Sequence, residues 1–474
     1  MKQSVFIKFL IVFFVFNVAA LLYAMLVSTT AMADELEHIH VAWLVWNGEV
    51  PYRDFFEHHH PVIWYIFAPL VGLFGRNIMV FYLLRFLMVL CSLLTLYIVF
   101  KLIKNYLADK TAAWLAVNIF CFSTVALNAM VQFKPDILMQ LFYCAGTYFL
   151  FAFMKEKKQK QLYGTAIFYT ISFLFLQTAV FLFIPIVGVL IYLLYKKEIS
   201  VKALLKASVV PLILLASFTA VLWQNGSLQR YYELNWVVNA QISAELGRAR
   251  IMDFGAMWGV LICGLIAGGY LLFNKPTKAV YIFLAIYACE FVLRLTYVSV
   301  YAHYFKMLLL FNAVIIGVAV AKLYMVKNVW AYAILLLFVP AYFKMFSIPA
   351  ERTSNEFQTT TILGIISDIT NNTTENDAVL GTAMMPFGVF NKNPHYYWFS
   401  WNYIGKIDAQ LFDYTLPFDI NQILVENKPK FVYFEDNMKP GYQPVGAYDI
   451  RPELLLGLYH TAKYNTLYQR KQEM

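Results

Sequence analysis

The sequence predicts a polytopic α-helical membrane protein with about eleven transmembrane helices and a small C-terminal α/β domain outside the cytoplasm. Hydrophobic residues make up 61% of the 474 positions and charged residues only 14%, whereas soluble domains are about half apolar and a quarter charged. The apolar residues form long runs, and the Lys and Arg residues gather in short segments between them. These two patterns together are typical of a chain that crosses a bilayer many times.

The predicted transmembrane module covers residues 1–347. Roughly 20 mostly apolar residues are needed for one helix to cross the hydrocarbon core of a bilayer. The fifth and sixth apolar runs meet at Gln177 and Thr178, which predicts a tight helical hairpin there. The predicted spans are 4–27, 77–103, 111–129, 136–154, 162–178, 179–195, 203–223, 255–273, 279–297, 305–322 and 329–347.

Basic residues occupy alternate connecting segments, which predicts the orientation of the chain. Cytoplasmic loops carry an excess of Lys and Arg, where they contact anionic lipid headgroups. The N-terminus is therefore predicted to be cytoplasmic and residues 348–474 periplasmic or extracellular, with the chain in the inner or plasma membrane. The lysines of the predicted cytoplasmic side include Lys2, Lys8, Lys101, Lys104, Lys110, Lys155, Lys157, Lys158, Lys160, Lys196, Lys197, Lys202, Lys275, Lys278, Lys322 and Lys327.

The first apolar run has two interpretations. Residues 31–33 match the small-residue pattern of a signal-peptidase site, and cleavage there would make Asp34 the first residue. The run is longer than the 7–15 apolar residues that are usual in a signal peptide. We therefore expect it to remain as an uncut anchor.

Composition also disfavours several classes of function. The net charge of +9 comes from loop lysines rather than from a basic domain, so nucleic acid is not expected as a partner. No P-loop or GxGxxG motif is present, which argues against a nucleotide cofactor. The five cysteines all lie within apolar runs and form no CxxC pair, as is typical of small core residues.

The first outer loop, residues 28–76, predicts two interfacial helices. Gly48 and Pro51 end the first of them, which is expected to be amphipathic and to lie in the membrane interface. Residues 62–74 are apolar but too short to span, so they predict a second interfacial or re-entrant helix. The apolar side of the first helix is formed by Leu36, Ile39, Trp43, Leu44 and Trp46.

Carboxylates and imidazoles are concentrated in the same loop. Any one of them is explained by ordinary solvation, but charge at membrane depth is costly and usually serves a function. The cluster is predicted to supply a general base and ligands for a divalent metal ion, Mg, Mn or Zn. Three consecutive histidines cannot all face one ion, so at most two would be ligands. The cluster comprises Asp34, Glu35, Asp54, Glu57, His58, His59 and His60.

The second outer loop places two charges beside a helix start. Pro135 is tolerated in a first helical turn and is predicted to begin a helix there. Lys134 and Asp136 are then held at the outer membrane surface. Lys134 would bind a lipid phosphate there or simply extend toward the interface.

Further charges fall inside predicted spans. Glu290 and Arg294 are spaced for an i,i+4 ion pair, which would line a cavity or hold helices together. Arg85 lies about two helical turns from the outer end of the second span, where a phosphate or carboxylate would be its partner. His303 stands close to the outer end of the tenth span.

In their order and topology these motifs resemble the GT-C glycosyltransferases that use polyprenyl-phosphate sugars. Relatives include protein O-mannosyltransferases and aminoarabinose transferases acting on lipid A, all similar to glycosyltransferase family 39. The resemblance covers essentially the whole chain. The matching motifs are Asp34-Glu35, residues 48–56 with Tyr52 and Asp54, Glu57-His-His-His-Pro61, Lys134-Pro-Asp136, His303-Tyr-Phe305, and residues 377–381 and 427–433.

The resemblance implies transfer of a sugar from a polyprenyl-phosphate donor to a lipid, glycan or protein acceptor on the outer face, with inversion at the sugar carbon. It implies that Asp34 is the general base, with Glu35 as the neighbour that would replace it. It also implies a metal ion at Glu57 and His58, although three histidines and a single proline depart from the family pattern.

The donor phosphate has its own implied partners. The resemblance assigns Lys134, Asp136 and His303 to this phosphate or to ordering the first loop. A polyprenyl phosphate is a good leaving group, so one carboxylate and nearby cations suffice for transfer. Arg85 and Arg294 are further candidate cations. A retaining route would need a second carboxylate as nucleophile. The charged cluster could supply one, so inversion follows from the resemblance alone.

The C-terminal residues 348–474 return to a soluble composition. Helical spacing over 360–369 and short apolar runs at 378–380 and 430–434 predict an α/β layer, with a further helix at 421–426. The aromatic segment 394–402 is expected to pack in the core, or to bind a glycan or cover an active site.

Two other functions are compatible with a polytopic chain. A transporter or flippase for a lipid-linked or small polar substrate would have two related halves with interrupted helices and charges near mid-span; no such repeat is present. A non-catalytic receptor or scaffold would leave the charged cluster between Asp34 and His60 unexplained.

Overall fold

The computed structural model of this protein is mostly helical. It describes residues 3–28, 33–121, 130–245, 255–296, 305–325, 359–381, 387–393, 396, 405–413, 425–426, 428, 430–433, 458–460 and 467–470. Its helices in the first half of the chain are α1 Gln3–Tyr23, α2 Ala33–Trp46, α3 Val62–Phe74, α4 Met79–Leu102, α5 Lys110–Cys121, α6 Pro135–Glu156, α7 Gln159–Phe175, α8 Ala179–Tyr195 and α9 Val201–Gln224.

The second half continues with further helices and a small sheet. The helices are α10 Leu228–Tyr232, α11 Asn239–Glu245, α12 Gly255–Phe273, α13 Lys278–Thr296, α14 Lys306–Met325, α15 Thr359–Asn372 and α16 Lys406–Leu411. Short π-helical segments at Ala24–Ser28, Ile103–Leu107 and Glu233–Val238 extend or join some of them. The strands are β1 Val379–Gly381, β2 Phe431–Tyr433, β3 Leu458–His460 and β4 Leu467–Arg470.

The predicted spans correspond to these helices. Each of the first ten predicted spans coincides with a helix, although residues 122–129 of the third lie outside the described part of the chain. The eleventh predicted span, 329–347, also lies outside it. Among the described residues, five helices are long and apolar enough to cross a membrane: Ser4–Leu26, Met79–Leu107, Pro135–Glu156, Val201–Gln224 and Lys306–Met325. The chain is thus a multi-pass membrane protein, as its composition predicts.

The chain forms two compact units. The first unit contains Met1–Thr29, Arg85–Phe218 and Leu246–Ser354, and it holds most of the predicted spans. The second unit contains Thr30–Leu84, Thr219–Glu245 and Asn355–Met474. It therefore combines the first outer loop with the C-terminal region.

Helix α14 is the central helix of the first unit, since nearly all of its side chains are buried. It packs against α5, and Gly317 makes the close approach possible. A Cβ atom at Gly317 would lie 2.7 Å from the backbone nitrogen of Ala116 and 2.9 Å from the carbonyl oxygen of Ala112. Small residues at such contacts are typical of helix packing in membranes.

Helix α1 is an integral part of the first unit. Asn17 Nδ2 donates a hydrogen bond to Asn118 Oδ1 at 2.9 Å, and Asn118 Nδ2 donates to the carbonyl oxygen of Leu10 at 3.1 Å. The ring of Phe6 stacks on Tyr324 at 4.7 Å. These contacts tie α1 to α5 and α14.

The second unit contains the helix and strands of the C-terminal region. Helix α15 and strands β1 and β2 coincide with the predicted helix 360–369 and the predicted strands 378–380 and 430–434. The sheet order is β1-β2-β4-β3, with β1 and β2 parallel and the other pairs antiparallel. Strands β3 and β4 were not predicted, because neither carries a long apolar run. Most of the predicted helix 421–426 and of the aromatic segment 394–402 falls outside the described residues.

Candidate functional site

The first outer loop folds as helix α2, a tight turn and helix α3. Helix α2 ends at Trp46, and Gly48 follows with φ +91°, a conformation that glycine adopts without strain. A Cβ atom at Gly72 of α3 would fall within 2.1 Å of ring atoms of Trp46, so α3 lies directly against the end of α2. Both elements were predicted. The structure, however, buries both faces of α2 over residues 35–44, instead of leaving its polar face in water.

Tyr52 holds the turn in place. Its φ of +68° is rare for a bulky residue and costs on the order of 1–3 kcal/mol. Its amide donates to the carbonyl oxygen of Phe55 at 3.0 Å, and its own carbonyl oxygen accepts from Tyr396 Oη at 2.7 Å. Its buried hydroxyl donates to the carbonyl oxygen of His59. The strained turn therefore positions the histidine segment.

Asp54, another predicted candidate, lies on the surface of this turn. Its Oδ2 accepts from the amide of Val50 at 2.7 Å, and its carboxylate pairs with Arg53 at 2.8 Å. The hydrogen bond from Arg53 lowers the pKa of Asp54. The contacts made by Asp54 thus close the turn.

Glu57 is fully buried and is oriented by the residues that follow it. Its Oε1 accepts from the amides of His58 at 2.7 Å and His59 at 3.2 Å, and from His59 Nδ1 at 2.9 Å. Its Oε2 is also buried and accepts no hydrogen bond from the described residues. One oxygen of the carboxylate is therefore fixed while the other is available to a ligand.

Glu57 belongs to a group of four potential metal ligands. The ligand atoms of Glu37, Glu57, His58 and His59 all lie within 4.8 Å of one another. His59 Nδ1 lies 3.4 Å from Glu37 Oε1, and His58 Nδ1 lies 3.7 Å from Glu57 Oε1. We call these four residues the acid–histidine group.

Burial and mutual charge shift the titration of this group. Burial and the charge of Glu57 raise the pKa of Glu37 well above its usual range. Burial opposes the ionisation of Glu57, but the hydrogen bond and charge of His59 outweigh it and lower the pKa of Glu57. Burial lowers the pKa of His58 to about 3, while the two carboxylates overcome the effect of burial and raise the pKa of His59.

The donor set of the acid–histidine group fits a divalent metal ion. Buried polar atoms normally make hydrogen bonds, yet both oxygens of Glu37 and Oε2 of Glu57 accept none within the described structure. Imidazole and carboxylate together suit zinc and similar transition metals better than magnesium, which prefers an all-oxygen shell. The lowered pKa of His58 favours its uncharged form, which is the form that binds a metal.

Neighbouring side chains hold the two histidines of the acid–histidine group. The rings of His38 and His59 meet edge to face at 4.9 Å, and Trp64 Nε1 donates to His38 Nδ1 at 3.1 Å. Asn239 Nδ2 donates to the carbonyl oxygen of His58 at 2.8 Å. Such outer contacts orient metal ligands in known sites.

The predicted general base lies on the same helix as Glu37. Asp34 is in the first turn of α2 and is partly exposed, while Glu35 is fully buried. Positions 34 and 37 share one face of a helix, and the charge of Asp34 acts on both Glu37 and His58. Asp34 is thus an accessible carboxylate beside the acid–histidine group.

Sequence reasoning identified only part of this group. It proposed Glu57 and His58 as ligands and counted His59 within the cluster, but it did not single out Glu37 or His38. The signal was present in the spacing, because residues 34, 37 and 38 fall on one face of α2. The fold was needed to bring that face against residues 57–59.

The first unit contains the candidates for binding a donor phosphate. Lys134 precedes α6 in an extended conformation and is buried, with Pro135 opening the helix as predicted. Asp136 follows in the first turn. Lys306, at the start of α14, is also buried and its charge interacts with those of Asp136 and Lys134. Lys306 had not been selected from the sequence.

The other predicted cations of the first unit have defined partners or lie outside the described residues. The predicted pair of Glu290 and Arg294 is present on α13, with Arg294 Nε 3.5 Å from Glu290 Oε2. Arg85 is buried in α4, and its Nη1 donates to the carbonyl oxygen of Met25 at 3.2 Å. His303 lies outside the described part of the chain.

Comparisons with known proteins agree with this architecture. Residues 58–223 match the family model described as dolichyl-phosphate-mannose-protein mannosyltransferase. The structure is similar to the crystal structure of ArnT from Cupriavidus metallidurans bound to undecaprenyl phosphate, with a TM-score of 0.64 and 11% sequence identity. That similarity covers 97% of each chain. A search of curated proteins finds no match.

The family model covers the histidine segment, the second outer loop and the spans around them, and the structural similarity extends over nearly the whole chain. Family model and fold therefore confirm that this protein resembles the GT-C glycosyltransferases of the family 39 type.

Proposed function

We propose that the protein is a membrane glycosyltransferase that moves a sugar from a polyprenyl-phosphate donor to a lipid, glycan or protein acceptor on the outer face of the membrane. Similarity to ArnT over 97% of both chains carries this proposal, because that protein was crystallised with undecaprenyl phosphate. The family model supports a lipid-phosphate sugar donor independently, since its description names dolichyl-phosphate-mannose.

In this proposal Asp34 takes the proton from the acceptor hydroxyl. A general base must reach the proton that it abstracts, and Asp34 is partly exposed whereas Glu35 is buried. The deprotonated oxygen attacks the sugar carbon, and the bond to the polyprenyl phosphate breaks. One displacement of this kind inverts the configuration at that carbon.

We further propose that the acid–histidine group holds a divalent metal ion, most favourably zinc. Glu37, Glu57, His58 and His59 would be its ligands. A bound ion would supply positive charge to stabilise the departing phosphate. Helix α2 carries both Glu37 and Asp34, so occupancy of the group would also fix the position of the base.

Cations of the first unit are proposed to bind the donor phosphate. Lys134 is the first choice, and Lys306 joins it because the two charges interact around Asp136. Buried ammonium groups are well suited to a phosphate that gains charge as the sugar leaves. Arg85 and His303 remain further candidates for this role, and Arg294 is a weaker one because it already pairs with Glu290.

The decisive experiment measures release of free polyprenyl phosphate from radiolabelled polyprenyl-phosphate sugars. The full-length protein in detergent is supplied with membrane acceptors, with and without EDTA. Asp34→Asn is compared with Glu375→Gln, which changes an exposed carboxylate of the same unit. We expect release that Asp34→Asn abolishes and Glu375→Gln preserves.

Other outcomes would change the proposed reaction, the proposed base or the proposed metal site. No release with any donor by folded wild-type protein would overturn the proposal and favour a transporter or flippase. Equal release by Asp34→Asn would retain the reaction but exclude this base. Loss of release in EDTA, restored by zinc, would support a metal at the acid–histidine group.

A further inference from the structure

A groove in the first unit has no role in the proposed reaction. It lies between α4 and the paired helices α6 and α7 and has a volume of about 420 Å³. Small-molecule sites typically occupy about 300–1,000 Å³. The residues that shape it include Leu94, Tyr97, Lys101, Phe142, Tyr148 and Phe168. None of them is a candidate for the base, the metal or the donor phosphate.

One wall of the groove is a rigid apolar surface. Phe168 of α7 stacks on Phe142 at 6.1 Å and on Phe149 at 5.3 Å, with interplanar angles of 18° and 20°. A Cβ atom at Gly164 would lie 2.7 Å from the ring of Phe149, so α7 approaches α6 closely at this point. A preformed row of stacked rings suits a flexible hydrocarbon chain, because few protein side chains have to be immobilised on binding.

One end of the groove is positively charged. Among the described residues that line it, Lys101 is the single charged one, and its Nζ lies 5.8 Å from the ring centre of Tyr97. Lys155, at the end of α6, donates to the carbonyl oxygen of Asn105 at 3.2 Å. Asn105 Nδ2 donates in turn to the hydroxyl of Tyr148 at 3.4 Å. Two ammonium groups therefore flank the same end of an apolar cavity.

We propose that this groove binds an anionic phospholipid of the cytoplasmic leaflet. One acyl chain lies along the stacked rings, and the phosphate meets Lys101 with Lys155 nearby. The lysines at this end belong to the set that predicts the cytoplasmic side, where anionic lipids are concentrated. Basic pockets between transmembrane helices are known to bind such headgroups. The phosphate of a polyprenyl donor is instead expected at the opposite, outer face.

Native mass spectrometry of the full-length protein tests the proposal. The protein is placed in nanodiscs of equal phosphatidylglycerol and phosphatidylcholine, released into mild detergent, and its retained lipids are counted. We expect preferential retention of phosphatidylglycerol, and about a fivefold loss of that preference in Lys101→Gln, since one lysine near a membrane surface contributes about that factor.

Two further variants sharpen the test. Lys196→Gln is the matched control, because the Nζ of Lys196 lies 5.3 Å from the ring centre of Tyr195 at a helix end outside the groove. Leu94→Trp fills the groove from an exposed position and should reduce retention of phosphatidylglycerol. Thermal unfolding of each variant verifies that it is folded.

Three results would overturn the proposal. They are equal retention of the two phospholipids by the wild type, an equal loss in Lys196→Gln and Lys101→Gln, and displacement of phosphatidylglycerol by added polyprenyl phosphate. The readout is lipid retention, so it is independent of sugar transfer and of the proposed function.

Discussion

The two units bury charged side chains in different ways. In the second unit the acid–histidine group combines two carboxylates and two imidazoles from helix α2 and the segment 57–59. In the first unit Glu290 and Arg294 pair along a single helix, one turn apart. The helical pair is neutral by itself. Glu290 and the two carboxylates of the acid–histidine group all have buried oxygens that accept no hydrogen bond in the described structure. The acid–histidine group differs because its four potential ligand atoms lie within 4.8 Å of one another, where a bound cation would satisfy them.

The way in which a buried charge is balanced separates a structural ion pair from a candidate binding site. Desolvation makes any buried charge costly, so a charge must be balanced within the protein or by a ligand. A pair that is balanced along one helix contributes chiefly to helix packing. A group that is assembled from two segments and brings four potential metal ligands together is the better candidate for a site. The comparison predicts that changes near the acid–histidine group impair chemistry, while changes in the helical pair impair stability.

Replacing the proposed base should have the largest effect. Asp34→Asn is expected to reduce sugar transfer by about 10²–10⁴-fold, the usual contribution of a positioned general base. The unfolding temperature should stay close to that of the wild type, because Asp34 is partly exposed. Release of polyprenyl phosphate and thermal unfolding are measured on the same preparation. Retained transfer, or a parallel loss of stability, would contradict the comparison.

Breaking the helical pair should chiefly affect stability. Glu290→Gln leaves the charge of Arg294 buried without its partner, and we expect a loss of about 3–5 kcal/mol in the free energy of unfolding. The double variant Glu290→Gln/Arg294→Gln should recover part of that loss. Denaturant titration in detergent measures both. If the double variant is no more stable than the single one, the two charges do not balance each other.

Removing one proposed metal ligand should weaken metal binding. Glu57→Gln is expected to lower the affinity for zinc by at least about tenfold, because even outer-shell changes cost 10–100-fold. Glu49→Gln is the matched control, since this partly buried carboxylate of the same loop lies outside the acid–histidine group. Zinc competition with a chelating dye measures the affinities. Equal affinities in both variants would remove the acid–histidine group as the metal site.

Removing the hydrogen bond between two neutral polar side chains should have the smallest effect on stability. Asn17→Leu removes the hydrogen bond to Asn118 without changing any charge. Interhelical hydrogen bonds in membranes contribute about 0.6 kcal/mol on average and up to about 1.7 kcal/mol. We expect a loss of stability in that range, measured beside Val15→Leu on the exposed face of α1. A loss as large as that of Glu290→Gln would show that charge is not what distinguishes the two regions.

Much of the fold could be predicted from the sequence, because long apolar runs and Pro or Gly breaks act locally. The hairpin at Gln177 and Thr178, the helix start at Pro135 and the break after Trp46 all follow from short stretches of chain. Strands β3 and β4 were not predicted, because they carry no clear apolar pattern and form by pairing with other strands.

The candidate site shows the same division. Asp34, Glu57 and His58 belong to a charged cluster in a loop between apolar runs, and the family resemblance singled them out within that cluster. Glu37 and Lys306 were not selected, because their importance depends on neighbours far away in sequence.

Local composition was enough to predict a multi-pass membrane protein with carboxylates and histidines concentrated in residues 28–76, since burial of apolar runs and exclusion of charge from lipid depend on nearby residues alone. Which charges meet depends on the tertiary structure. It brought one face of α2 against the histidine segment and grouped Lys306 with Lys134 and Asp136. Distances between separate segments are set by packing, and packing depends on the whole chain.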